Sequence, residues 1–148
     1  MSTSEIGWFE DLQVFVYGTL KPGGFYWPQF CEGKVEQWWP ARVRGQVYHL
    51  SVGYPAAQFG GDRWIYGFIL KLRDIAALKG IDSLEGFDPE NPSVEANDYV
   101  RLRVDVERCD VEKTERVWSY EMSREKIQRE GGILVESGDW SGSAGSET

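Results

Sequence analysis

The segment RWIYGFILKL, Arg63 to Leu72, limits the fold more than any other stretch of the chain. Its apolar residues fall on both parities: Trp64, Tyr66, Phe68 and Leu70 on one, Ile65 and Ile69 on the other. An extended strand sends alternate side chains to opposite faces, so this strand needs cover on both sides. The 148 residues suffice for one domain with a single hydrophobic core. With 41% hydrophobic and 14% aromatic residues, the chain is too apolar to be intrinsically disordered.

Further strands are spread along the chain. Val14-Phe15-Val16-Tyr17 is a compact apolar run ended by Gly18, as in a short buried strand, and KPGG (Lys21 to Gly24) then holds the chain in a loop. A second strand is expected within Ala41 to Leu50, where Val43 and Val47 alternate with Arg42, Arg44 and Gln46. VGYPAAQF then reads as a turn into a short extended piece. In YVRLRVDV (Tyr99 to Val106) every second residue from Val100 is apolar, so one face meets solvent, and RVWSYEM (Arg116 to Met122) reads as another strand. So many strands with few helical stretches predict a closed or nearly closed sheet. One domain is expected over 1–140, followed by a flexible tail over 141–148.

The formal net charge of −8 and the absence of a basic cluster exclude nucleic acid and anionic membrane as main partners. No apolar run reaches the ~18 residues needed to span a bilayer, and MSTSEIGWFEDL has no leader pattern, so the expected location is cytoplasmic. Cys31 and Cys109 are far apart and have no companion ligands, so each is expected as a free, mostly buried thiol and no metal site is expected. His49 is the only histidine, and no Gly-x-Ser-x-Gly elbow accompanies it, so it is read as a strand residue outside any chemistry.

The best helical segment is RDIAALKGIDSLEG, with Asp74 as N-cap and Gly86 as the residue that ends it. At ~100° per residue from Ile75, Leu84, Ala77, Ile81 and Leu78 fall at about 180°, 200°, 240° and 300°. Glu85 falls at about 280°, on the apolar face, and Asp82 sits at its margin, partly exposed. A carboxyl group turned inward at a helix C-terminus has its charged form disfavoured by desolvation and by the helix dipole. That suits proton transfer near neutral pH. An inward Glu85 paired with an arginine is the alternative on periodicity alone.

VFVYGTLKPG (Val14 to Gly23), VRGQVYHLSVGYPAA, IYGFILKL, IDSLEGF, YVRLRVDV and VWSYEM follow one another in an order that resembles the gamma-glutamylcyclotransferase family, in its AIG2-like branch. The resemblance implies an α+β fold, a small mixed β-barrel with flanking helices, in which the YGTL loop and the acidic box share one cavity. It implies a chemistry too: the alpha-amine of a gamma-glutamyl amide attacks its own gamma-carbonyl, giving 5-oxoproline and a free amine. Carried onto matching positions, Tyr17, Gly18, Thr19 and Leu20 bind substrate, Glu85 transfers protons, Tyr99 and Tyr120 line the pocket, and Arg101 is structural. The expected partner is a small molecule with a gamma-glutamyl group, and no metal or cofactor is required.

The local pattern leaves a plainer reading open, in which YGTL is only a strand end and the two tyrosines only fill a barrel. A non-catalytic module of the same fold that binds a small metabolite is the alternative function. Two segments depart from the family pattern: the aromatic stretch Phe25 to Pro40 and the acidic connection Phe87 to Asp98. Both are expected to line the substrate mouth. Trp27, Trp38 and Trp39 are expected to form one apolar patch, for a large amine moiety or for a partner subunit.

Overall fold

The structure, a computed structural model, describes residues 12–142. The reading of the N-terminus as leaderless and most of the expected tail lie outside the described residues. The described residues form six strands: β1 (Gln13–Val16), β2 (Val35–His49), β3 (Pro55–Leu72), β4 (Val100–Arg108), β5 (Thr114–Glu121) and β6 (Ile133–Leu134). Among the described residues three helices accompany them: α1 (Trp27–Phe30), α2 (Ile75–Glu85) and α3 (Arg124–Arg129). Neighbours run β3-β1-β5-β4-β2, and β2 pairs again with β3, so five strands close into a barrel and β6 extends β2 at its edge. The β1–β5 pair is parallel and the others are antiparallel, which makes the barrel mixed, as expected.

Strand β1 is the hinge of the architecture. Phe15 points into the barrel, where it meets Val43, Val47, Ile65, Ile69, Val106 and Val117. Val14 and Val16 point outward against Leu70, Leu72 and the Ala77, Leu78 and Ile81 face of α2. Val14, Phe15 and Val16 of β1 therefore have no solvent face, which is why they read as an unbroken apolar run. The same two clusters divide the C-terminal half of β3: Ile65 and Ile69 face in, while Leu70 and Leu72 lie under the helix. Both-sided cover holds there, whereas Tyr66 is exposed.

Two strand expectations are corrected. β2 begins at Val35, six residues before the expected start, and the expected short piece after the Gly-Tyr-Pro turn is the first part of β3, an 18-residue strand. Long strands wrap the barrel because a register shift between Arg44 and Gly45 lets one hairpin turn a corner. Helix α2 keeps its expected ends. Asp74 accepts a hydrogen bond from the Ala77 amide at 3.0 Å, and Gly86 ends the helix at φ 67°, a conformation glycine adopts without strain.

Side-chain burial brings further corrections. Asp82 is buried, not partly exposed. Cys31 is buried, and its thiol is pushed up to about 12 by burial, whereas Cys109 is exposed in the β4–β5 turn. Trp27 and Trp38 meet edge to face with ring centroids 5.2 Å apart, but Trp39, next along β2, turns to the other side under Arg108. Strand alternation forbids all three from sharing a patch. Among the described residues no helix is long and apolar enough to cross a membrane.

Candidate active site

At the end of β1 the chain leaves the barrel and enters a loop that is tied down at several points. The Tyr17 hydroxyl donates to the Tyr120 carbonyl at 2.7 Å. The Thr19 carbonyl accepts from the Tyr26 amide at 2.9 Å, and the Gly18 carbonyl from the Lys21 amide at 3.2 Å. Lys21 reaches the Trp140 carbonyl at 2.6 Å. A Cβ on Gly18 would stand 2.5 Å from Cγ of Pro55, so the close passage of this loop over β3 requires glycine. Pro55 also supplies the carbonyl that accepts from the Tyr99 hydroxyl at 2.7 Å. The loop bonds use carbonyls. Among the described residues the amides of Gly18, Thr19 and Leu20 donate to no backbone oxygen.

These groups border one cavity of about 380 Å³. Every residue marked in the sequence lines it: Tyr17, Gly18, Thr19, Leu20, Glu85, Tyr99 and Tyr120. They come from β1 and its loop, the end of α2, the start of β4 and the end of β5, and only barrel closure brings them together.

Glu85 is the unusual member. Its carboxyl group is pushed up to about 8, first by desolvation and then by repulsion from Asp82. Among the described residues it makes no ion pair and accepts no hydrogen bond, so the arginine-paired alternative does not apply. Burial, with Glu85 nearby, also raises the phenols of Tyr17, Tyr99 and Tyr120, which stay protonated and able to donate.

One turn earlier on α2, Asp82 has partners on two sides. The Tyr120 hydroxyl donates to its Oδ1 at 2.5 Å, and Arg101 Nε stands 2.9 Å from the same oxygen. The Arg101 guanidinium lies over Trp118 at 4.3 Å and near Phe87 at 5.4 Å. Asp82 thus anchors the wall that carries Tyr120. Helix periodicity placed Asp82 only at the margin, because nothing local reports the arginine waiting on β4.

The sequence reading missed Val52, Tyr54, Lys126, Arg129 and Glu130, which also line the cavity, as do Tyr26 and Asp98. Tyr26 and Asp98 belong to the two segments expected at the mouth, although most of each segment lies elsewhere. Tyr54 stands in the quoted Gly-Tyr-Pro turn, which was the available signal. Lys126 and Arg129 arrive on α3, a six-residue helix capped by Ser123 and too short to stand out by periodicity.

The arrangement sets one carboxyl able to exchange a proton near neutral pH beside a loop of free amides and three phenols. That equipment suits the collapse of a tetrahedral acyl intermediate without a protein nucleophile. A family model described as "Gamma-glutamyl cyclotransferase, AIG2-like" matches residues 14–142. Among solved structures, At3g28950.1 from Arabidopsis thaliana is 25% identical at a TM-score of 0.59, with 87% of this chain and 68% of that one covered. YkqA from Bacillus subtilis is 22% identical at a TM-score of 0.63; 88% of this chain aligns, spanning only 39% of YkqA. An AIG2-like protein from Mus musculus is 19% identical at a TM-score of 0.56, with 88% of each chain covered. No match was found among curated proteins.

Proposed function

The chain belongs to the AIG2-like gamma-glutamyl cyclotransferase family, and we propose from this that it releases 5-oxoproline and a free amine from a gamma-glutamyl amide. The observation that carries the reading is the unpaired Glu85 carboxyl, raised to about 8, in the cavity bordered by the 17–20 loop.

The substrate brings its own nucleophile. Its alpha-amine must lose a proton to attack the gamma-carbonyl carbon, and the departing nitrogen must gain one. Glu85 accepts the first proton and returns it to the leaving nitrogen, a role typically worth about 10²–10⁴-fold in rate. The amides of Gly18, Thr19 and Leu20 offer donors to the oxyanion or to the substrate carboxylate. Tyr17, Tyr99 and Tyr120, held by the bonds described above, shape the wall that folds the substrate back on itself.

The test is a panel of gamma-glutamyl amides incubated with the protein and with Glu85→Gln, read by mass spectrometry for 5-oxoproline. Release by the parent protein and its loss in the variant is the expected result. Binding without release would favour a non-catalytic module, and full activity in Glu85→Gln would remove Glu85 from the mechanism.

A further inference from the structure

The cavity has two chemically different ends. Tyr17 and Tyr120 are only 7% and 3% exposed and stand at its depth, with the half-buried Glu85 on the same lining. Val52 and Tyr54 also line it, yet they are 58% and 46% exposed and therefore form its rim. Tyr26 joins them from the loop after β1, where its hydroxyl interacts with that of Tyr54. Phe25 packs edge-on against Tyr26 with ring centroids 4.8 Å apart. Eight large apolar side chains are exposed among the described residues; Val52 and Tyr54 line this cavity, and Phe25 stands next to it through its contact with Tyr26. Exposed apolar groups clustered around a concave site mark a surface that gains from contact with an apolar ligand.

Charge points the same way. The charged residues of the lining beyond Glu85 are Asp98, Glu130, Lys126 and Arg129. The Lys126 ammonium is held by the carbonyls of Asn97 and Val94, the latter at 2.7 Å. Against the two cations Lys126 and Arg129 the lining sets the two acids Asp98 and Glu130, so beyond Glu85 its formal charges cancel and leave no surplus positive charge for a carboxylate beyond that of the glutamyl group.

Resting on the cyclotransferase reading, we propose that Tyr26, Val52 and Tyr54, with Phe25 packed against Tyr26, form the subsite for the departing amine, and that this amine has an aromatic or other bulky apolar body and no carboxylate. The glutamyl part is zwitterionic and belongs at the deep end with Glu85 and the loop amides. There the alpha-nitrogen bonds to the gamma-carbonyl carbon as the bond from that carbon to the amine nitrogen breaks. The alpha-ammonium gives up one proton to become the nucleophilic amine and a second as the lactam forms; Glu85 relays them to the departing nitrogen, which leaves as an ammonium, and nothing is oxidised or reduced. The scissile bond lies between the two ends, so the body of the amine extends towards the rim and leaves through it.

The experiment compares gamma-glutamyl-benzylamide, gamma-glutamyl-ethylamide and gamma-glutamyl-alanine in two measurements, 5-oxoproline release and equilibrium binding to Glu85→Gln by calorimetry. The benzylamide is expected to exceed both others at least tenfold in kcat/KM and in affinity. Tyr54→Ala is expected to lower both quantities more for the benzylamide than for the ethylamide. Equal affinities across the three compounds, or preference for the alanine conjugate, would overturn the proposal. Selective binding of the benzylamide without release from any compound would sink the cyclotransferase reading and leave the aromatic subsite standing.

Discussion

Where α2 meets β4 and β5, the Asp82 carboxyl group receives a phenol hydroxyl and lies against a guanidinium. Where the same helix ends beside the 17–20 loop, Glu85 has the cavity in front of it and no partner among the described residues. The two acids are three residues apart on one helix face, and burial is the largest cause raising both. For Asp82, Tyr120 and Arg101 work against that rise. For Glu85 nothing does, and Asp82 adds to it. Burial alone therefore does not mark a reactive acid. A partnered carboxylate becomes part of the scaffold, and an unpartnered one keeps a proton to exchange.

The sharpest test of this contrast is catalytic. Glu85→Gln is expected to lower turnover by about 10²–10⁴-fold with an unchanged circular dichroism spectrum. A variant that unfolds or keeps full activity would break the comparison. Next comes Arg101→Met, which leaves Asp82 buried without its cation. Both side chains are under a tenth exposed, and breaking such a pair is expected to cost about 3–5 kcal/mol in urea unfolding.

Tyr120→Phe keeps the ring against the core and removes only the hydroxyl on Asp82. A loss of about 1.5–3 kcal/mol is expected, the range for a hydrogen bond to a charged group. The smallest effect at any one condition is a slope in stability with pH. A raised carboxyl pKa means that the folded protein binds the proton more tightly than the unfolded chain. The stabilisation is complete below the ordinary value of 4.5 and is lost as pH rises through about 8. One proton allows a slope of at most about 1.4 kcal/mol per pH unit, and unfolding curves collected across that window should flatten in Glu85→Gln. An unchanged slope in the variant would place the titrating group elsewhere.

Much of the site could be read locally. The β1 run, the loop that follows it and the helix from Asp74 to Gly86 each depend on short-range rules: apolar continuity, glycine in a tight passage, a side chain that caps an amide. Periodicity alone was enough to turn Glu85 inward. Other features depended on contacts far along the chain. Tyr120 meets Asp82 across 38 residues, and Lys21 finds the Trp140 carbonyl across 119. Trp38 and Trp39 are adjacent in sequence and part company because strand alternation sends them to opposite sides.

The sequence by itself determined which segments extend, where the one long helix begins and stops, and that its last acid lies on the apolar face. Those outcomes follow from steric and hydrogen-bonding preferences acting over a few residues. Only the tertiary structure decided that Asp82 has a phenol and a guanidinium as partners and Glu85 has neither, and that tyrosines from two separate loops share a rim. A carboxyl group's protonation depends on what approaches it through space, and in a closed barrel that is set by which strands become neighbours.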